Sequence, residues 1–137
     1  MEKFVLLDRD GVINRRPGPA WVRRWEEFRF LPRALEALRK LNENGYKSII
    51  VSNQSGVGRG LLSEEDLETI TANFREEAAR QGAGIEAVFY CTHRPEEGCE
   101  CRKPRAGLLL KAQREYGFRF PSTFLVGDTE VDFQAGK

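Results

Sequence analysis

Four short apolar runs set the limits on what this chain can fold into: Phe4 to Leu7, Ser48-Ile-Ile-Val51, Ile85 to Tyr90 and Thr123-Phe-Leu-Val126. The first is uninterrupted and ends on charged residues, the pattern of a strand buried on both faces, which is a central strand of a parallel sheet. Helical patterns lie between the runs. Pro32 followed by Ala34, Leu35, Leu38 and Leu41 repeats at three and four residues, and predicts an amphipathic helix with proline in its first turn, stopping near Gly45. Ser63 with Asp66 resembles a capping box ahead of Leu67, Ile70, Phe74 and Ala78, and this second helix ends by Gly82. Gly107 to Tyr116, closed by Gly117, is the third. The order βαβαβαβ implies right-handed crossovers and an α/β fold, an open parallel Rossmann-like sheet with helices on both faces. Ligands of such sheets bind beyond the carboxyl ends of the strands, so chemistry is expected at residues 8, 52, 91 to 103 and 128.

With 137 residues and 40% apolar content, the chain can bury one core, and residues 1–137 are expected to form a single domain. Lys and Arg number 22 against 21 Asp and Glu, and a net charge of +1 gives no basic field of the kind that holds nucleic acid non-specifically. No segment approaches the roughly 18 apolar residues of a membrane span, and the opening Met1-Glu-Lys-Phe-Val-Leu-Leu-Asp8 is too short an apolar run for a signal peptide. A cytoplasmic location is expected. All three cysteines, Cys91, Cys99 and Cys101, share one loop with His93, the sole histidine. That clustering suits a metal better than a disulfide framework.

Asp8 and Asp10 are two apart at the end of the first run, so if the strand persists both carboxylates point to one side, and Gly11 then lets the backbone turn away. Two carboxylates in one space repel unless a cation neutralises them, and Mg²⁺ is the usual hard cation where phosphate is handled. Asp128, after the fourth run, is a candidate third carboxylate. Each acid alone reads more readily as a turn cap; their common location reverses that preference and favours chemistry. Ser52 to Gly56 offers a hydroxyl and successive backbone amides, as needed to grip phosphate oxygens. Gly56, Gly58 and Gly60 follow the second strand into a polar turn, which argues against a dinucleotide loop. Lys103 is a candidate fixed positive charge for a transferring phosphoryl group. Cys91, His93, Cys99 and Cys101 make a set of four soft and borderline ligands with no open position, the pattern of structural Zn²⁺, in a loop spanning 91–101.

These residues, Asp8-x-Asp10-Gly11, Ser52-Asn53, Lys103 and Gly127-Asp128 with Asp132 four on, resemble the four motifs of the haloacid dehalogenase superfamily of phosphatases. Within it, Asp8-Arg-Asp-Gly-Val-Ile-Asn14, Ser52 to Gly60, and Cys91-Thr-His93 through Cys99-Glu-Cys101-Arg-Lys-Pro104 resemble the zinc-containing D-glycero-D-manno-heptose 1,7-bisphosphate phosphatases and the related histidinol-phosphate phosphatases. The resemblance implies that Asp8 attacks phosphorus to form an aspartyl-phosphate, and that Asp10 protonates the leaving alkoxide and then deprotonates the hydrolytic water. It implies Mg²⁺ on Asp8, Asp128 and the carbonyl of Asp10. Ser52 and the Asn53 amide would bind phosphoryl oxygens, Lys103 would stabilise their charge, Arg102 would read the rest of the substrate, and Asp132 would support Lys103 or the metal. The expected partner is a small phosphorylated metabolite, a sugar bisphosphate first.

Between Gly11 and Lys47 there is room for only a loop and one helix, so no large cap domain is expected and substrate choice falls to loops. Trp21, Trp25 and Arg16 are candidates for that rim, although aromatic residues near a helix are more often core. Two features depart from the family. Relatives continue for another helix and strand, so the C-terminal edge strand of the family is missing, which predicts an exposed edge beside the fourth strand and either low stability or self-association through it. Thr129 stands where heptose bisphosphatases often carry a basic residue, whereas Arg59 in its Gly-Arg-Gly loop favours them. DNA 3′-phosphatases share the Asp-x-Asp-Gly start and a segment like Asn53 to Gly60; the zinc loop and near-neutral charge argue against that reading. A non-catalytic, zinc-stabilised subunit is the remaining alternative.

Overall fold

The computed structural model describes residues 3–15, 21–54, 56–92, 107–117 and 124–126. Strands β1 (Lys3–Leu7), β2 (Tyr46–Asn53), β3 (Ala87–Cys91) and β4 (Phe124–Val126) alternate with helices α1 (Ala34–Glu43), α2 (Glu64–Arg80) and α3 (Gly107–Tyr116), and a single 3₁₀ turn (Trp25–Glu27) precedes α1. All pairings are parallel, in the order β3-β2-β1-β4.

Strand β1 is buried from Phe4 to Leu7 because it is covered on both faces. Val5 and Leu7 point into a cluster with Leu38 of α1 and Leu67, Ile70 and Phe74 of α2. Phe4 and Leu6 point the other way, into a smaller cluster with Ile49, Val51, Phe89 and Ala112 of α3. The uninterrupted apolar run is the sequence trace of that two-sided burial, and each fully buried Leu, Ile or Phe contributes about 1.5–3 kcal/mol. No helix among the described residues is long and apolar enough to cross a membrane.

Helix α2 starts where expected. The Asp66 N–H donates to Ser63 Oγ at 3.0 Å and the Ser63 N–H donates back to Asp66 Oδ2 at 2.9 Å. Glu64, Glu65 and Asp66 sit in the first turn, facing the positive end of the helix dipole. Helix α1 starts later than the proline suggested. The Ala34 N–H donates to the Leu31 carbonyl at 3.1 Å, and Arg33 has φ 68° and ψ 3°. Pro32 and Arg33 are thus the central pair of a type II turn, and the left-handed Arg33 keeps the proline out of the helix. Strand β3 is displaced towards Cys91, with Ile85 and Glu86 leading into it; the Glu86 N–H donates to the Ser48 carbonyl at 2.9 Å.

Among the described residues β3 and β4 are the two edges of the sheet. Whether anything covers β4 concerns residues beyond Val126, which lie outside the described ones.

Candidate active site

Leu7 is level with Ile50 of β2 and with Val126 of β4, and β2 runs on to Asn53, which is level with Cys91 of β3. The carboxyl edge therefore brings Asp8, Ser52, Asn53 and Cys91 to one end of the sheet. The expected clustering holds for these four. Lys103, Arg102, Asp128, Asp132, His93, Cys99, Cys101 and Arg16 lie outside the described residues.

The strand does not persist through Asp10. The Arg9 carbonyl accepts from the N–H groups of Val12, Ile13 and Asn14 at 3.1, 2.8 and 3.2 Å, and the Gly11 N–H donates to the Asn14 carbonyl at 2.8 Å. That closes a tight turn immediately after β1, with Gly11 at φ 86°, a backbone state that glycine adopts without strain. Asp10 is thus placed by a turn and not by strand alternation from Asp8. Asp8 is buried, and its Oδ1 accepts from the Arg9 N–H at 2.8 Å.

The Asp10 carboxylate is held unequally at its two oxygens. Oδ1 accepts from Arg9 Nε at 3.2 Å, Arg9 Nη2 at 3.0 Å and Asn14 Nδ2 at 2.9 Å. Oδ2 accepts from Gln54 Nε2 at 2.9 Å, and the same amide nitrogen donates to Ser52 Oγ at 3.1 Å. Burial alone would raise the proton affinity of Asp10; the Arg9 charge and the hydrogen bonds from Asn14, Gln54 and Arg9 outweigh it and hold the group below its usual value. Asp10 is a carboxylate in the free site.

Arg9 is fully buried, although arginine is among the side chains least often found there. Its guanidinium lies 5.9 Å from the Phe28 ring centre and 5.6 Å from that of Tyr90, and Nη1 donates to the Tyr90 hydroxyl at 3.3 Å. That hydroxyl is 2.8 Å from Thr71 Oγ1, which donates its only proton to the Leu67 carbonyl at 2.8 Å. Tyr90 must therefore donate to Thr71. The hydrogen bonds run from Arg9 through Tyr90 and Thr71 to the Leu67 carbonyl, from the turn after β1 through β3 into α2.

The loop after β2 is tied to the end of β3: the Gln54 N–H donates to the Cys91 carbonyl at 2.7 Å and the Gly58 N–H to the Thr92 carbonyl at 2.9 Å. At Gly56 a Cβ would meet Leu62 Cδ2 at 2.8 Å and Trp21 Cγ at 3.0 Å, so a side chain there would have to push both back. Ser52 is buried and Asn53 partly exposed. Arg59 is exposed, with its guanidinium 5.7 Å from the Trp21 ring centre. Trp21 thus adjoins the loop that carries Arg59, whereas Trp25 stacks on Phe28 at 5.3 Å and packs on the core. Trp25 is a packing residue, not a rim residue.

Sequence reasoning passed over Arg9, Asn14, Gln54 and Tyr90 as site residues. The available signal was spacing: Gln54 is two residues after Ser52, and an arginine stands between two acids.

For a metal, the described part of the site offers hard oxygens. The Asp8 carboxylate is buried at the strand end, and the hydrogen bonds that close the turn go to the carbonyls of Arg9 and Asn14, leaving that of Asp10 out of the turn. Such a set fits Mg²⁺. Among the described residues no three His, Cys, Asp or Glu side chains group to hold a metal. Of the expected zinc ligands only Cys91 is described; it is buried at the end of β3 beside Phe89 and Val51.

The family profile described as polynucleotide kinase 3 phosphatase matches residues 3–132. A D-glycero-β-D-manno-heptose-1,7-bisphosphate 7-phosphatase of Helicobacter pylori is 37% identical over 135 residues, 98% of this chain and 77% of that protein. The α-anomer 7-phosphatase of Photorhabdus laumondii is 34% identical over 142 residues, 98% of this chain and 76% of that protein. The D,D-heptose 1,7-bisphosphate phosphatase of B. bronchiseptica, solved with magnesium and phosphate, superposes with a TM-score of 0.92 at 35% identity, covering 97% of this chain and 74% of that one.

Proposed function

This chain belongs to the haloacid-dehalogenase-type heptose-1,7-bisphosphate phosphatases, and on that premise we propose that it removes the 7-phosphate of D-glycero-D-manno-heptose 1,7-bisphosphate through an aspartyl-phosphate on Asp8. The observation that carries the chemistry is the pairing of a buried Asp8 with a separately held Asp10 in one turn at the carboxyl edge of β1.

Asp8 is the nucleophile: a carboxylate oxygen attacks phosphorus as the ester oxygen leaves, and Asp10 supplies the proton which that alkoxide needs. Asp10 then takes a proton from the water that attacks the aspartyl-phosphate, freeing phosphate and Asp8. The free-site carboxylate of Asp10 suits the second step directly. For the first, a phosphoryl dianion beside it raises its proton affinity by like-charge repulsion. Ser52, Asn53 and Lys103 hold the phosphoryl oxygens, Arg102 and Arg59 read the remainder of the substrate, and Asp132 supports Lys103 or the metal. Asp8, the Asp10 carbonyl and Asp128 would hold Mg²⁺, which when bound would supply the charge neutralisation that lets a carboxylate meet a phosphate dianion.

Zn²⁺ on Cys91, His93, Cys99 and Cys101 shapes the following loop without acting on substrate. The carbonyls of Cys91 and Thr92 accept from the N–H groups of Gln54 and Gly58, so the strand end that carries the first of these ligands also places the loop after β2. Zinc-binding thiolates suit a reducing compartment, and the cytoplasm is the location this reading assigns. Metal analysis of freshly purified protein should find one zinc per chain, and protein without it refutes the zinc assignment.

Relatives at nearly equal identity act on the β and the α anomer, so similarity favours neither. Histidinol phosphate is the nearest rival substrate. The matched family profile favours a second reading, a polynucleotide 3′-phosphatase, against which stands the net charge of +1. Phosphate release from heptose bisphosphate, histidinol phosphate and a 3′-phosphorylated oligonucleotide, with Asp8→Asn as control, decides. Heptose bisphosphate should be turned over fastest and the Asp8→Asn protein should be inactive on all three; preference for the oligonucleotide reverses the assignment.

A further inference from the structure

From the unequal holding of Asp10 we infer that Arg9 is a positioning residue that saturates Oδ1 of Asp10 and thereby reserves Oδ2 as the oxygen that gives and takes the proton. The inference rests on the acid/base role proposed for Asp10 and adds which oxygen acts and what aims it.

Oδ1 receives three donors, from Arg9 Nε, Arg9 Nη2 and Asn14 Nδ2. No acceptor direction on it remains for a proton. Among the described residues Oδ2 receives one donor, from Gln54, and none of them takes its second lone pair. In the first half-reaction the Oδ2–H bond breaks as the alkoxide O–H bond forms, while the phosphorus bond to that oxygen breaks and the bond to Asp8 forms. In the second, a water O–H bond breaks onto Oδ2 as the water oxygen displaces Asp8 from phosphorus. Gln54 reaches both Oδ2 and Ser52 Oγ, so the oxygen that moves the proton lies on the side of the expected phosphoryl grip.

Arg9 can aim Asp10 because it is itself immobilised. Its planar fork makes two bonds to one oxygen, its remaining arm bonds Tyr90, and it lies close to the rings of Phe28 and Tyr90. Lysine keeps the charge but has neither the fork nor the plane.

The test separates aim from stability by the leaving group. An aryl phosphate with a good leaving group, 4-nitrophenyl phosphate, departs without a proton; an alkyl phosphate does not. The value of kcat/KM covers only the steps up to release of the alcohol, so it isolates proton donation from later hydrolysis. Arg9→Lys should lower kcat/KM for the alkyl phosphate about tenfold, and for 4-nitrophenyl phosphate by less than about threefold, within the roughly 10²–10⁴-fold that a positioned acid contributes. Tyr90→Phe, which removes only the hydroxyl behind Arg9, should show the same selectivity at smaller size, and it decides the matter if Arg9→Lys does not fold. Equal losses on both substrates, or no loss on either, overturn the inference. Asp10→Asn calibrates the experiment: alkyl-selective loss there but not in the Arg9 and Tyr90 variants overturns the inference alone. Unselective loss in Asp10→Asn overturns the acid role and the inference with it.

Discussion

The loops that follow β1 and β2 both end at the candidate site, yet they are held by opposite means. The turn after β1 is fixed by a buried ion pair: Arg9 has no exposed surface, and its partner Asp10 is 13% exposed. The loop after β2 is fixed by main-chain bonds to the end of β3 and by apolar contact around Gly56, and it carries its charge, Arg59, outward. The proposed nucleophile Asp8 and the proposed acid/base Asp10 flank Arg9 at the buried turn, where electrostatic interactions are strong and little reorganisation is possible. The group expected to tell one substrate from another is in the wet loop. A difference in solvent exposure thus runs parallel to the proposed division between reaction and specificity.

The largest effect should come from breaking the dry side. Arg9→Met preserves much of the apolar stem but leaves the Asp10 carboxylate without its counter-ion among buried groups, and losing one partner of such a pair costs about 3–5 kcal/mol. Chemical denaturation should show that loss in the midpoint with an unchanged slope. A loss below about 1 kcal/mol would mean that water reaches Asp10 freely, and the contrast between the loops would fail.

A smaller effect is expected at the hinge of the second loop. Gly56→Ala sets a methyl against Leu62 and Trp21, contacts too short to keep, and overpacking of this kind costs about 1–3 kcal/mol. Because Trp21 must move, its fluorescence should change with the substitution, while aryl phosphate hydrolysis persists. Unchanged stability and fluorescence would show that the loop repacks without constraint.

How much of this could be read in the sequence depended on the range of the interactions responsible. The four strands and the α2 cap were readable because burial on both faces and the Ser63–Asp66 exchange leave their marks within a few residues. The start of α1 was misread because the left-handed state of Arg33, a residue without special preference for it, decides the turn and leaves no compositional mark. Asp8 and Asp10 stood out as a pair at a strand end. Arg9 did not, since an arginine beside two acids has the pattern of a solvated surface, and its stabilising partner Tyr90 lies 81 residues away on another strand. The same holds for Gln54, whose contact with Asp10 joins residues 44 apart across neighbouring strands.

The smallest structural effect is expected at Arg59, where the wet side can be tested by itself. Its guanidinium packs near Trp21 while remaining exposed, and exposed contacts of that kind are worth about 0.5–1 kcal/mol. Arg59→Ala should therefore change stability by no more than about 1 kcal/mol. If the residue reads the second phosphate of a bisphosphate, losing roughly 1 kcal/mol of attraction there raises KM about fivefold. The value of kcat should hold, because Arg59 is absent from the hydrogen bonds that fix Asp10. Comparing a sugar bisphosphate with the matching monophosphate separates the possibilities: KM should rise for the first only. An equal rise for both would place Arg59 at the reacting phosphate, and a fall in kcat would bring the wet loop into the chemistry that the dry turn is held to perform.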